Sequence, residues 1–225
     1  MDAPAFSGVT GGNLRAMPDQ PADRQADTRV AIHPAIAARW SPRAFDPEAV
    51  VTAEQLTALL EAARWAPTWG RRQPVRYLVG IRPAGAERPG DEPSGDDTFS
   101  ALSALLRRGN SYARAAGALI LVCADEGEDD RTALYSAVDA GAAMATLSIE
   151  AVSRGLVVHP MAGFDVAGAR EAFALAAGIR PLMVIAVGSL GDYEQVPAEI
   201  AERDRAPRAR LPLEQTVLNW SGTGL

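Results

Sequence analysis

Lysine is absent from this 225-residue chain, and all 22 of its basic residues are arginine. Schiff-base chemistry on a lysine and a phosphate-loop lysine are therefore both excluded. Histidine occurs only at positions 33 and 159, and cysteine only at 123. A disulfide within the chain, a multi-histidine metal site and a Cys/His zinc cluster are all excluded, so no metal is expected. Cys123 lies in the run Ala118-Leu119-Ile120-Leu121-Val122-Cys123, where a small apolar filler is the expected role. No stretch reaches the roughly 18 consecutive apolar residues of a membrane span. The N-terminus lacks the basic region and apolar core of a secretory leader. A net charge of −6 argues against a nucleic-acid partner. The expectation is a cytoplasmic protein with neither nucleic acid nor membrane as partner. With so few groups suited to acid–base or nucleophilic work, a bound organic cofactor is the expected carrier of any reaction.

The length suits one well-buried domain. Residues 1–29 are rich in Pro, Gly, Asp and Gln without apolar period and are expected to form a disordered or loosely docked arm, with the domain over 30–225. Pro34 to Ala38 reads as a short helical piece. Thr52-Ala53-Glu54-Gln55 is a capping box, and the helix behind it puts Leu56, Leu59, Leu60 and Ala63 on one face, ending before Pro67. Strands are expected over 75–81, 118–124, 156–161 and 181–188. Helices are expected over 99–108, 131–154, 166–176 and near Ala198. Residues 82–97 read as an exposed excursion. The long helix is crowded with small residues (Ala137, Ala140, Gly141, Ala142, Ala143, Ala145), as a central helix approached closely by others would be, and Gly155 is placed to end it. Gly188-Ser189-Leu190-Gly191 is expected to be a plain turn rather than a phosphate loop. Alternating helices and strands give an α+β or α/β arrangement.

Four segments carry chemistry. Arg39-Trp40-Ser41-Pro42-Arg43-Ala44-Phe45 holds two guanidinium groups and a hydroxyl, donors suited to phosphate oxygens, although a solvated turn explains it about as well. In Arg208-Ala209-Arg210-Leu211-Pro212 an extended backbone would point both arginines to one side. Taken alone this is a basic tail; if the two ends of the domain meet, it completes an anion site. Ala66-Pro67-Thr68-Trp69-Gly70-Arg71-Arg72-Gln73-Pro74 joins a helix end to a strand start. His159-Pro160-Met161-Ala162-Gly163-Phe164-Asp165 ends a strand in a small loop whose backbone can approach a flat ring.

Together with Gly109-Asn110-Ser111-Tyr112-Ala113, these segments resemble, in order, the motifs of the FMN-dependent nitroreductase family, over residues 30–220. The resemblance implies an α+β fold, a three-layer α/β/α sandwich around a mostly antiparallel sheet, in an entwined homodimer with two FMN sites at its interface. It implies that Arg39, Ser41, Arg208 and Arg210 bind the FMN phosphate and ribityl hydroxyls, with Trp40 in the same segment. Arg43 would face the N1/O2 edge of the ring and Asn110 its pyrimidine edge. Pro160, Met161, Ala162 and Gly163 would form the loop at N5 and O4.

The implied activity is ping-pong transfer of two electrons from NADH or NADPH to a nitroaromatic, quinone or related small acceptor. Catalysis would be borne by the flavin rather than by a protein nucleophile. The chain departs from the family pattern at Arg71, where an asparagine is usual, and at Val75, where an aromatic is usual. Trp69 replaces a small hydroxyl residue, and Ala162 stands where many members have glutamate. Trp69 and Arg71 are therefore assigned to the substrate side, with burial in the dimer contact as the alternative for Trp69. His159 is either a substrate-side donor or a hydrogen-bonded structural residue. Two other functions remain open: a specialised biosynthetic reductase, dehydrogenase or oxidase on the same fold, and a non-catalytic flavin-binding protein.

Overall fold

The computed structural model describes residues 24–83 and 97–222. Most of the arm expected over 1–29, and most of the excursion expected over 82–97, lies outside the described residues. In chain order the elements are α1 (Pro34–Ala38), α2 (Ala53–Arg64), β1 (Val75–Ile81), α3 (Thr98–Leu105), a 3-10 helix (Arg108–Ala115), β2 (Ala118–Asp125), α4 (Asp130–Ser153), β3 (Val157–Met161), α5 (Val166–Ala172), β4 (Ile179–Gly188), α6 (Ala198–Arg205) and α7 (Leu213–Thr216).

The strands form one antiparallel sheet in the order β1-β2-β4-β3. β2 is apolar at nearly every position because both of its faces are covered. Ile120 and Val122 point with Val158, Ile185 and Val187 towards α2 and α4. Leu119, Leu121 and Cys123 point with Val184 and Ala186 towards α3, the 3-10 helix and Phe164. Period-two alternation thus builds two cores from one strand. The result is the helix–sheet–helix sandwich of the expected α+β class.

Local signals behave as their chemistry dictates. The Thr52 hydroxyl accepts from the Gln55 N–H while the Gln55 side chain accepts from the Thr52 N–H, closing the capping box. α4 begins behind Asp129, which accepts from the Thr132 N–H. It ends with Gly155 at φ +75°, where Leu156 N–H reaches the Ala151 carbonyl at 2.9 Å and Gly155 N–H the Val152 carbonyl at 3.0 Å.

Three boundaries differ from expectation. The helix expected over 99–108 stops at Leu105, because Leu106 turns extended and pairs with Phe164. The helix expected over 166–176 stops at Ala172, where Ala174 takes φ 45° and Arg170 binds the carbonyls of Ala176, Ala177 and Ile179. The last strand starts at Ile179 and runs through Pro181, whose missing donor falls where the β2–β4 register slips by one residue. The turn at 188–191 is committed to the first motif: Leu190 pairs with Phe45, and Gly191 N–H donates to the Ala44 carbonyl.

A Cβ on Gly80 would fall inside contact distance of the backbone of Phe99 and within 2.7 Å of Thr98, at the start of α3. Gly80→Ala must push α3 off β1 and is expected to cost about 1–3 kcal/mol, a fall in Tm of roughly 2–12 °C for a chain of this size. A thermal melt followed by circular dichroism measures it; an unchanged Tm would show that the helix yields freely.

Candidate functional site

Arg39 follows directly on α1, and its half-buried guanidinium donates to the Ser41 hydroxyl at 3.2 Å. Burial lowers its pKa, and the nearby positive charges of Arg208 and Arg210 lower it further. Guanidinium groups from opposite ends of the domain therefore converge. Among the described residues none of the three forms an ion pair with a carboxylate. Beside Arg39 and Ser41 lies an open cavity of about 450 Å³, lined also by Ile36, Pro160 and, from α4, Met144 and Ser148. The first and fourth motifs thus share one cavity, with the small-residue flank of α4 as its wall.

The two C-terminal arginines divide their work. Arg208 donates to the backbone carbonyls of Arg24, Ala37 and Arg39, tying the tail to the start of the domain. Arg210 is exposed, and among the described residues its acceptor is the Ala209 carbonyl. Arg208 thus uses three of its five N–H donors on backbone carbonyls, and Arg39, Ser41 and Arg210 also keep donors to spare. Trp40 is buried beneath the guanidinium of Arg24, 5.2 Å from its ring centre, and Met161 lies in the core. Both side chains pack rather than line the cavity.

A polar chain links the other expected residues. Arg43 pairs with Asp204 at 3.2 Å and lies over the Tyr112 ring at 5.9 Å. The Pro42 carbonyl accepts from His159 Nδ1 at 2.8 Å; because a carbonyl only accepts, Nε2 of the neutral ring is left to accept from the Tyr112 hydroxyl at 3.1 Å. Both ring nitrogens are thus used inside the protein, the arrangement of a structural histidine. Burial pushes the Tyr112 hydroxyl up to about 12. Asn110 donates from Nδ2 to the Gly163 carbonyl at 2.9 Å, and the Arg107 N–H donates to the same oxygen. A Cβ on Gly163 would lie 2.6 Å from Asn110 Nδ2, so glycine is required for this approach. Ala162 beside it is exposed.

Trp69 sits elsewhere. Its ring stacks on Tyr135 at 4.9 Å, Arg131 lies over it, and its backbone N–H donates to both oxygens of the buried Asp139. Arg71 is exposed in the turn made by Gly70, at φ +62°. Within one chain neither lines the Arg39 cavity: the Trp69 ring rests on Tyr135 in the first half of α4, and the cavity is lined from Met144 onward, with Ser148 roughly 15–20 Å further along the axis. Asp204, Tyr193 and Asp139 are the polar residues that sequence reasoning missed.

The model of the nitroreductase family matches residues 36–189. The chain belongs to the nitroreductase family. The match takes in the first motif, Asn110 and the loop at Gly163, and stops short of Asp204, Arg208 and Arg210. A crystallised oxidoreductase containing FMN is 26% identical, with a TM-score of 0.73, over 91% of this chain and 98% of its own. A protein from Exiguobacterium sibiricum, crystallised in complex with FMN, is 19% identical with a TM-score of 0.66, over 86% of this chain and 100% of its own, and so shares the fold. The 15.4 kDa protein of the ask 5′ region of Mycolicibacterium smegmatis is 60% identical over 143 residues, 64% of this chain and 94% of that protein.

His159 gives this nitroreductase a pH-dependent stability. Burial, foremost, holds its pKa below the ordinary value of 6.5, against a smaller opposing effect of the Pro42 carbonyl. Its contribution is complete above pH about 6.5 and is lost as the pH falls below that, because the unfolded chain then takes up a proton that the folded one resists. Melting at pH 7.5 and 5.5 should show a larger drop for wild type than for His159→Gln. Equal drops would assign the acid sensitivity to other groups.

Proposed function

We propose that this chain is an FMN-dependent oxidoreductase that passes two electrons from NADH or NADPH to nitroaromatics, quinones or related small acceptors. Turnover is ping-pong, in a cytoplasmic, entwined homodimer. The observation that carries this reading is the arginine cluster at the cavity. Arg39, Arg208 and Arg210 gather without an ion pair to a carboxylate among the described residues, a cationic nest that a phosphate dianion would neutralise.

The residues fit the cofactor. Arg39, Ser41 and Arg210 hold its phosphate and ribityl oxygens, and Arg208 sets the backbone from which Arg39 projects. Arg43 and Asn110 serve the polar edge of the ring. The loop at Ala162 and Gly163, held by Asn110, presents backbone with little side chain at the reacting edge. A bound FMN would supply the two-electron redox chemistry between nicotinamide and acceptor. The protein supplies binding, orientation and positive charge; no side-chain nucleophile is required. Burial pushes the Cys123 thiol up to about 11, consistent with an inert filler.

Two observations support the dimer. Leu134, Val138, Leu211, Leu218 and Trp220 are exposed, and α7 buries none of its residues, apolar surface of the kind a partner covers. A substrate side formed by Trp69 and Arg71 would meet the Arg39 cavity across subunits, as an entwined dimer allows.

The purified protein should be yellow and should bleach on anaerobic addition of NADH or NADPH. A folded, colourless protein that takes up no added FMN would overturn the assignment. Arg39→Gln with Arg210→Gln removes charge-assisted bonds of about 1.5–3 kcal/mol each. FMN affinity should fall at least tenfold with the fold intact, as read by fluorescence titration of apoprotein. Undiminished affinity would place the phosphate elsewhere.

A further inference from the structure

Asp204 lies in the last turn of α6 and has no solvent exposure at its side chain. An acid at that end of a helix faces the negative end of the macrodipole, and burying a carboxylate is costly unless it is paired. Its position therefore has a cause outside the helix. That cause is the first motif. The carboxylate accepts the Arg43 N–H at 2.6 Å, the Ala44 N–H at 3.1 Å and Arg43 Nη1 at 3.2 Å. The Tyr193 hydroxyl donates to it at 3.2 Å. Two of these bonds fix the backbone of the Arg43 turn, one engages the Arg43 charge, and one comes from the neutral Tyr193 hydroxyl.

We propose that Asp204 is a positioning residue that anchors Arg43 while offsetting its charge, and so holds down the reduction potential of the bound flavin. The proposal rests on the FMN reading above. A lone half-buried guanidinium acts on a nearby ring as a full positive charge and favours the negative charge gained on two-electron reduction. Paired with a buried carboxylate it acts as a dipole, whose field falls off more steeply. Arg43 keeps the geometry of a donor at the ring edge: Nη1 serves Asp204, and among the described residues its other side-chain donors make no hydrogen bond. Binding and redox tuning are thereby separated, Arg43 supplying the first and Asp204 moderating the second.

The test is a dye-coupled redox titration of the FMN-loaded protein. Asp204→Asn keeps the shape and removes the charge. The expected result is a more positive midpoint, with the ratio of reduced to oxidised flavin at fixed potential raised about tenfold, or about 30 mV for a two-electron couple. In an Arg43→Gln background the same substitution should shift the midpoint much less. An unmoved midpoint in Asp204→Asn, or an equal shift in both backgrounds, overturns the proposal. If Asp204→Asn does not fold, Tyr193→Phe withdraws one donor from the carboxylate and should move the midpoint the other way; no movement there overturns it equally. Wild-type protein that folds but takes up no FMN overturns the FMN reading and this inference with it. Loaded protein with an unresponsive midpoint overturns the role of Asp204 alone.

Discussion

The carboxylate of Asp204, sealed from water and met by four donors, is the interaction on which the organisation of the site depends. It joins residues separated by about 160 positions in the chain and fixes the turn that follows Arg39. Breaking a buried ion pair from one side typically costs about 3–5 kcal/mol, because the remaining charge stays buried. The turn at Arg43 is therefore rigid. Arg208 repeats the logic a few residues later, satisfying three carbonyls of the N-terminal segment. Once both ends of the domain are tied in this way, Arg39 is held near Arg208 and Arg210.

The sheet provides the fixed frame. β2 and β4 are buried on both faces, so their register sets the height of everything packed on them. β3 is an edge strand and can carry Pro160, which costs no ladder bond on a free side. Its end delivers the Ala162–Gly163 loop to Asn110, which is presented by the 3-10 helix. The same helix places Tyr112 between His159 and Arg43. Loop, histidine and arginine thus lock into one network. The cavity lies beside this network, sharing Pro160 with β3 and lined on α4 by Met144, Ala145, Ser148 and Ile149.

What could be read from the sequence was local. A capping box, a glycine past a helix end and period-two apolar runs each report on neighbours a few residues away, and these features stand where expected. Boundaries failed where a distant partner intervened. Leu106 leaves its helix for Phe164, and Pro181 is absorbed by a slip against Val122 and Cys123. In the candidate site, the family motifs located Arg39, Ser41, Arg43, Asn110 and Gly163 but not their couplings. Asp204 looked like one more acid in a charged helix, because nothing within ten residues reveals that Arg43 faces it. The burial of Trp40 was hidden likewise, since Arg24, which covers it, lay in a segment read as an arm.

The arginine cluster also bears on why the ends of the chain are built as they are. Acidic residues outnumber basic ones by 28 to 22, so counter-charges were plentiful. Elsewhere the chain uses them: Glu150 pairs with Arg154, Glu126 with Arg180 and Glu199 with Arg203. Beside the cavity it does not, and Arg39 and Arg208 bear mutual repulsion on top of the cost of burial. A cluster kept unneutralised in an acidic protein destabilises the empty fold, and the destabilisation is offset when an anion binds. The same chain pairs Arg43 from within through Asp204, so its two groups of arginines are treated in opposite ways by the fold.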